Sequence, residues 1–114
     1  MITLNRNTLF KRAYARGQST ANKYMAVYVL KNRLPYNRFG ITVTKKIGKA
    51  VVRNRVRRII KESIRLNQDK FKRGYDIVFV ARYMSIEAKQ QQVQQAMLNL
   101  LRGKNLILET EEVK

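Results

Sequence analysis

The segment 45–61 constrains the fold and the partners of this chain more than any other. It contains eight basic residues and no acidic one. On a helix from about Val52 onward, the cations fall on one broad face and the apolar side chains on the opposite face. The first face consists of Arg53, Asn54, Arg57, Arg58, Lys61 and Arg65, and the second of Val52, Val56, Ile59, Ile60 and Ser63. The segment predicts a helix that packs with one face and meets an anion with the other.

The charge of the whole chain identifies that anion as a polyanion. The chain has 25 Lys and Arg against 7 Asp and Glu, a formal net charge of +18 on 114 residues. Charge of this density predicts salt-dependent, largely sequence-independent binding to phosphates, and arginine forks suit phosphate oxygens. Two alternatives are charge that serves solubility alone and a basic module on a membrane surface. The second would carry bulky apolar residues beside its cations, and the chain has no Trp.

The residue types exclude most protein-based catalysis. There is no Cys and no His, so thiolate metal sites and the usual general base are missing. The acidic residues Glu62, Asp69, Asp76 and Glu87 show no spacing typical of a metal site. A protein nuclease needs paired carboxylates with metal ions or a histidine-based acid–base pair. We therefore expect no catalytic residue, no metal site and no cofactor held by protein side chains.

The length predicts a single domain, residues 1–114, with residues 104–114 as a flexible tail that carries Glu109, Glu111 and Glu112. No apolar run approaches the length of a membrane span, and the N-terminus lacks the apolar core of a signal peptide. The expected location is the cytoplasm.

Local patterns predict the elements of the first half. A short helix is expected over 8–16, with Asn7 or Thr8 as its N-cap and Gly17 in a left-handed conformation after its end. Residues 18–23 are predicted to form a polar connector. Strands are expected over 24–30 and 39–44, with a turn over 32–37 that contains Pro35 between them. In the second strand the polar face formed by Gly40, Thr42 and Thr44 is available to water or a ligand.

The second half predicts one buried strand and one helix. Residues 76–81 are continuously apolar after Asp76, which is typical of a central strand buried on both faces. Ser85 is expected to cap a last helix that ends at Gly103. Its apolar stripe is Ile86, Val93, Met97, Leu100 and Leu101, and its solvent face is Gln90, Gln91, Gln92, Gln94 and Gln95.

These residues resemble those of a known family. Residues 43–61, with the lead-in Lys45-Lys46-Ile47-Gly48-Lys49-Ala50-Val51 and the core Arg53-Asn54-Arg55-Val56-Arg57-Arg58, closely resemble the signature of the bacterial ribonuclease P protein subunit. Phe10, Tyr14 and Gly17 resemble the aromatic N-terminal helix of that family. Tyr28 resembles its cleft-facing strand aromatic, and residues 75–82 resemble its fourth strand.

The resemblance implies a fold and a function. The fold is α+β, an α/β sandwich in the order αβββαβα, with a four-stranded sheet and an unusual left-handed βαβ crossover around the basic helix. The function is that of the protein subunit of a ribonucleoprotein endonuclease that removes the 5′ leader of precursor tRNA. In that enzyme the RNA subunit holds the catalytic Mg²⁺ ions. The implied partners are the catalytic RNA and the leader, with no DNA and no membrane.

Two surfaces receive roles from the same resemblance. The first, called the basic surface below, is expected to face RNA and consists of Lys45, Lys46, Lys49, Arg53, Asn54, Arg55, Arg57, Arg58, Lys61 and Arg65. Arg55 lies near the apolar border of the helix and could orient its neighbours instead. The second, called the aromatic cleft, consists of Phe10, Tyr14 and Tyr28 and would stack unpaired leader nucleotides. Core packing is the alternative for these three aromatic residues.

Rival functions stay open at this point. A small basic ribosomal protein, or another structural RNA-binding protein, would share the charge, the length and the lack of catalytic groups. A nuclease that works without RNA is a further possibility. The pattern of residues does not determine which cations touch RNA or which leader sequence is preferred.

Overall fold

The computed structural model describes residues 1–108, which form three α-helices and four β-strands in the order αβββαβα. The elements are α1 Asn7–Arg16, β1 Gln18–Ala21, β2 Met25–Lys31, β3 Arg38–Thr42, α2 Ala50–Asn67, β4 Tyr75–Ala81 and α3 Gln90–Gly103. Short 3₁₀ turns at Lys45–Ile47, Gln68–Lys70 and Tyr83–Ser85 connect them. The expected α+β class and element order are confirmed.

The four strands form one mixed sheet in the order β1-β2-β4-β3. Strand β2 is antiparallel to both β1 and β4, whereas β3 is parallel to β4. A parallel pair needs a crossover connection, and here α2 supplies it. The left-handed sense of this crossover stays a prediction. Thr3 forms a parallel bridge with Phe39, so the first residues continue the sheet beyond β3.

Each face of the sheet is covered differently. Helices α2 and α3 pack on one face over the main core, which includes Val27, Ile60 and Phe79, all completely buried. Helix α1 lies on the other face over a small cluster around Ala13 and Val78. Strand β4 is paired on both edges and buried on both faces, which confirms the prediction for 76–81.

A buried ion pair ties β3 to β4 under α1. The Asp76 carboxylate is completely buried and accepts hydrogen bonds at 2.8 Å from Nε and from one terminal nitrogen of Arg38. Asn32 Nδ2 donates a third at 3.0 Å, and the Arg12 guanidinium lies 3.8 Å away. The hydrogen bond to Asp76 raises the pKa of Arg38 above its ordinary value. The only acidic residue of the buried strand is therefore structural.

Three expectations around α1 and β1 are wrong. The helix begins after Arg6, and no side chain caps it. Gly17 is extended, with φ −74° and ψ 156°. Glycine is needed there for space, since a Cβ would lie 2.5 Å from the Ala13 carbonyl oxygen. The polar connector at 18–23 contains strand β1, which pairs with β2 from Gln18 opposite Val29. An edge strand with exposed side chains shows no hydrophobic alternation.

The start of the last helix also differs. Ser85 lies in a 3₁₀ turn and donates to the Arg82 carbonyl at 2.6 Å, so it does not cap α3. The helix starts at Gln90, and Gln92 Oε1 accepts the Lys89 N–H at 2.8 Å. Ile86 therefore precedes the helix, although it still packs on the core. The rest of the stripe is confirmed, with Val93, Met97, Leu100 and Leu101 buried.

The described part of the expected tail is packed. Leu106 is buried, and Ile107 forms an antiparallel bridge with Phe71. The Leu108 N–H donates to the Lys70 carbonyl at 2.7 Å. These backbone pairings attach residues 104–108 to the body of the domain, so a flexible tail is a wrong description of them. Residues 109–114 lie outside the described part of the chain.

Candidate nucleic-acid interface

The lead-in turns the chain sharply between β3 and α2. Ile47 is buried and anchors the 3₁₀ turn, while Lys45 and Lys46 are exposed. Gly48 follows with φ 151°, a conformation that favours glycine. Arg53 then donates to the Gly48 carbonyl at 2.9 Å, which holds the turn against the first turn of α2. The lysines are thereby placed next to the arginines of the helix.

Helix α2 has the predicted division into two faces. It begins at Ala50, two residues earlier than expected, and buries Val56, Ile60 and Ile64 on the sheet. Exposed on the basic surface are Lys45, Lys46, Lys49, Asn54, Arg58, Lys61 and Arg65, whereas Arg53 and Arg57 are partly buried. Within residues 1–108, the side chains of Lys45, Lys46, Lys49, Arg58 and Lys61 form no hydrogen bond or ion pair with protein. Their charges are available to an external anion.

Four arginines of the basic surface donate hydrogen bonds within the protein: Arg53 to the Gly48 carbonyl, Arg57 to Asn54 Oδ1 at 3.4 Å, and Arg55 and Arg65 as follows. The Arg55 guanidinium donates to the backbone carbonyls of Ile86 and Ala88, the second at 3.3 Å. This contact ties α2 to the segment before α3. Arg65 donates to Glu62 at 2.9 Å, and this hydrogen bond lowers the pKa of the Glu62 carboxyl below its ordinary value. Arg55 and Arg65 therefore have fewer free N–H donors for a phosphate than Arg58.

The three aromatic residues of the aromatic cleft meet on the α1 face of the sheet. The Tyr14 ring meets the Tyr28 ring edge to face, with 4.9 Å between centroids, and the Phe10 centroid is 6.5 Å from that of Tyr14. The Tyr14 hydroxyl is 2.6 Å from Thr42 Oγ1. This hydrogen bond joins α1 to β3 across the cleft and holds the Tyr14 ring in place.

Exposure differs among these three aromatic residues. The Tyr14 side chain remains 39% exposed, whereas Phe10 and Tyr28 are partly buried against the cluster of Ala13 and Val78. Phe10 also lies directly over Gly40, where a Cβ would come within 2.6 Å of the Phe10 ring. Tyr14 therefore has the largest free ring surface, and Phe10 and Tyr28 combine a packing role with an exposed edge.

Gly40 and Thr42 belong to this surface, although sequence reasoning did not assign them to it. The available signal was the polar face of β3, which was expected to meet water or a ligand. The pairing register places Gly40 beside Val78 and Thr42 beside Val80, on the same face as Tyr28. That placement depends on strand order, so the local pattern alone could not connect these residues with α1.

Within residues 1–108, no three His, Cys, Asp or Glu side chains are grouped to hold a metal ion. In the same part of the chain, no helix combines the length and apolar content required to cross a membrane.

Comparison with known proteins assigns this arrangement to a family. The family model described as ribonuclease P matches residues 2–105. The ribonuclease P protein component of Alkaliphilus oremlandii is 46% identical over 104 residues, covering 91% of each chain. That of Clostridium botulinum strain 657 is 50% identical over 100 residues, covering 87% of this chain and 90% of the relative.

Solved structures agree with the sequence matches. The RNase P protein of Staphylococcus aureus superposes with a TM-score of 0.85 at 30% identity, covering 94% of this chain and 98% of the other. The Thermotoga maritima RNase P protein gives 0.79 at 32% identity, covering 90% and 97%. A match over nearly the whole length, in sequence and in fold, shows that this chain belongs to the ribonuclease P protein family.

Proposed function

We propose that this ribonuclease P protein component holds the catalytic RNA with its basic surface and the 5′ leader of precursor tRNA in its aromatic cleft. The holoenzyme is the endoribonuclease that removes the leader to give mature tRNA 5′ ends, and its catalysis belongs to the RNA subunit. The single observation that carries the assignment of the basic surface is the row of cations along α2 and its lead-in that have no partner among residues 1–108.

The geometry of α2 supports binding to an RNA backbone. Lys49, Arg58 and Lys61 are exposed on a helix whose opposite side is anchored in the core. Phosphate contacts of this kind position a protein on RNA without reading its sequence. A rigid helix keeps the spacing of these charges constant, so it fits one arrangement of phosphates in a structured RNA.

The aromatic cleft supports binding of a single strand. Unpaired bases stack on exposed aromatic rings at about 1–3 kcal/mol per base, with little dependence on sequence. Tyr14 offers a ring held by Thr42 and Tyr28, at an edge of the sheet that continues into the lead-in. A leader nucleotide on Tyr14 would thus lie at the end of β3 from which the chain leads to Lys45 and Lys46. This adjacency lets one RNA ligand use both surfaces.

The chemistry of hydrolysis is assigned to the RNA. Mg²⁺ ions held by the catalytic RNA would activate water and stabilise the leaving oxygen. The protein residues bind and orient the two RNAs, and none of them is proposed to transfer a proton. We place this activity in the cytoplasm, without a membrane or DNA partner.

The family match does not favour the ribosomal alternative, although a ribosomal protein could present a similar basic helix. The two functions differ in the aromatic cleft, because a structural RNA-binding protein has no need for a site that recognises a leader. Substrate discrimination is therefore the property to measure.

Reconstitution with a bacterial ribonuclease P RNA tests the proposed function. We expect the protein alone to bind RNA and cleave none, and the reconstituted particle to cleave precursor tRNA at the leader junction in low Mg²⁺. Cleavage by highly purified protein alone, abolished by a point substitution in it, would contradict the assignment of catalysis to RNA. Failure to stimulate the RNA would contradict the assignment as a whole.

Variants of α2 test the basic surface. Arg58→Ala removes an exposed, unpaired cation, so affinity for the catalytic RNA should fall and the slope of log affinity against log salt should decrease by about one per lost phosphate contact. Arg65→Ala is the matched control on the same helix, because Glu62 already engages that side chain. We expect its effect to be smaller, and an unchanged slope for Arg58→Ala would make Arg58 a solvated surface residue.

A further inference from the structure

A second group of cations lies away from both surfaces described above. Arg16 at the end of α1, Lys31 at the end of β2 and Lys104 just after α3 line one groove of about 360 Å³. Tyr75 lies in the same groove, and Leu30 and Leu106 form part of its apolar wall. Residues from three separate elements therefore converge on one concave site.

The charge in this groove is not neutralised by the described protein. None of the four carboxylates within residues 1–108 lines it. Asp76 is paired with Arg38 and Glu62 with Arg65, while Asp69 and Glu87 line other grooves. Like charges that face one concave surface repel one another, and a bound anion removes that cost.

The groove lies at the end of β4 opposite the lead-in. Tyr75 is the first residue of β4, whereas Thr42, which contacts Tyr14 and precedes the lead-in, pairs with Val80 near the other end of that strand. Five residues of extended chain span about 17 Å. A phosphate in the groove would therefore be a different phosphate from any held by Lys45.

We propose that Arg16, Lys31 and Lys104 form a further phosphate-binding site for an RNA backbone. The cations would hold the phosphate, and Tyr75 with the apolar wall would contact the attached sugar or base. This inference rests on the proposed function, and the phosphate could belong to either the catalytic RNA or the precursor tRNA. The site gives the protein a second point of attachment at the opposite end of the sheet, which fixes its orientation.

The test compares two variants of equal net charge. Lys31→Gln/Lys104→Gln removes two cations from the groove, and Lys11→Gln/Lys70→Gln removes two exposed cations that do not line it. Binding to the catalytic RNA alone, and binding of the holoenzyme to precursor tRNA, are each measured across a salt series. We expect the groove variant to reduce the salt slope by about 0.7 to 0.9 per lost contact in one of these two reactions, which identifies the RNA involved.

A charge-retaining variant and the wild-type protein serve as the two controls. Lys31→Arg/Lys104→Arg keeps the cations and should restore the slope, and all variants should melt at or above the wild-type temperature because repulsion is relieved or unchanged. If the groove and control variants have equal slopes in both reactions, the inference is overturned while the proposed function stands. If the wild-type protein fails to assemble with the RNA, the proposed function and this inference both fail.

Discussion

Substitution of Tyr14 tests whether the aromatic cleft binds the leader. Tyr14→Ala removes the ring, whereas Tyr14→Phe keeps the ring and removes only the 2.6 Å hydrogen bond to Thr42. If leader nucleotides stack on this ring, the alanine variant should bind precursor tRNA more weakly and mature tRNA normally. Mature tRNA lacks the single strand that would occupy the cleft. The phenylalanine variant should retain most of the affinity for the precursor.

The expected magnitude follows from the exposure of the ring. Tyr14 is 39% exposed, so its removal opens no enclosed cavity. Folding would lose one hydrogen bond, about 0.5–1.5 kcal/mol, and two aromatic pairs, with Phe10 and Tyr28, at about 0.5–1.5 kcal/mol each. A domain with a stability of about 5–15 kcal/mol remains folded after that loss. Lost stacking of about 1–3 kcal/mol corresponds to about a 5- to 150-fold weaker affinity for the precursor.

The assay measures two dissociation constants for each holoenzyme, one with precursor and one with mature tRNA, beside the thermal unfolding curve of the protein. Tyr36→Ala is a matched control, because Tyr36 is 40% exposed and lies in the turn before β3, outside the cleft. It should leave the ratio of the two constants unchanged. Equal losses for precursor and mature tRNA, together with a large fall in melting temperature, would refute leader stacking and assign Tyr14 to packing.

Three further predictions concern the fold that supports these surfaces. Arg38→Met leaves the buried Asp76 carboxylate without its main partner and should lower the free energy of unfolding by about 3 kcal/mol. The urea midpoint measures this loss, and a change no larger than that caused by the exposed Arg65→Met would contradict it. Gly40→Val forces the ring above it to move and should weaken precursor binding more than mature tRNA binding, in the same two-ligand assay; unchanged binding of both would show that the cleft tolerates the shift. The pKa of Glu62 is lowered by Arg65, so the stabilising pair is present at neutral pH and lost as pH falls through that pKa. In an NMR titration the Glu62 carboxyl should have a higher midpoint in Arg65→Gln than in the wild type, and an identical midpoint would refute the pairing.

Much of the basic surface was predictable from local pattern. The eight cations of segment 45–61 and the apolar positions between them define both faces of α2 without reference to the rest of the chain. The buried strand 76–81 and the apolar stripe of α3 were equally visible, because side-chain burial repeats at the period of each element. The absence of His and Cys from the sequence favoured a binding function over catalysis by protein side chains.

Contacts between distant segments were not predictable from the sequence. Arg38 and Asp76 are 38 residues apart, and Tyr14 and Thr42 are 28 apart, so neither pair leaves a local signature. Strand β1 was missed because its stability comes from pairing with β2 rather than from its own side chains. Gly17 was assigned to the wrong conformation because glycine is needed there for space: a Cβ would lie 2.5 Å from the Ala13 carbonyl oxygen and 3.0 Å from that of Val29 in β2.

The sequence by itself determined that this chain carries an amphipathic basic helix, which predicts a polyanion as its ligand, and that it lacks His and Cys. Charge and periodicity are local properties, so both can be recognised in the sequence without knowledge of the fold. The tertiary structure decided which cations are available, because it engages Arg55 with backbone carbonyls and gives Arg58 no partner within residues 1–108. It also brought α1 over β3 to form the aromatic cleft and gathered cations from three elements into one groove. Such convergence depends on strand order and register, which only the packed sheet specifies.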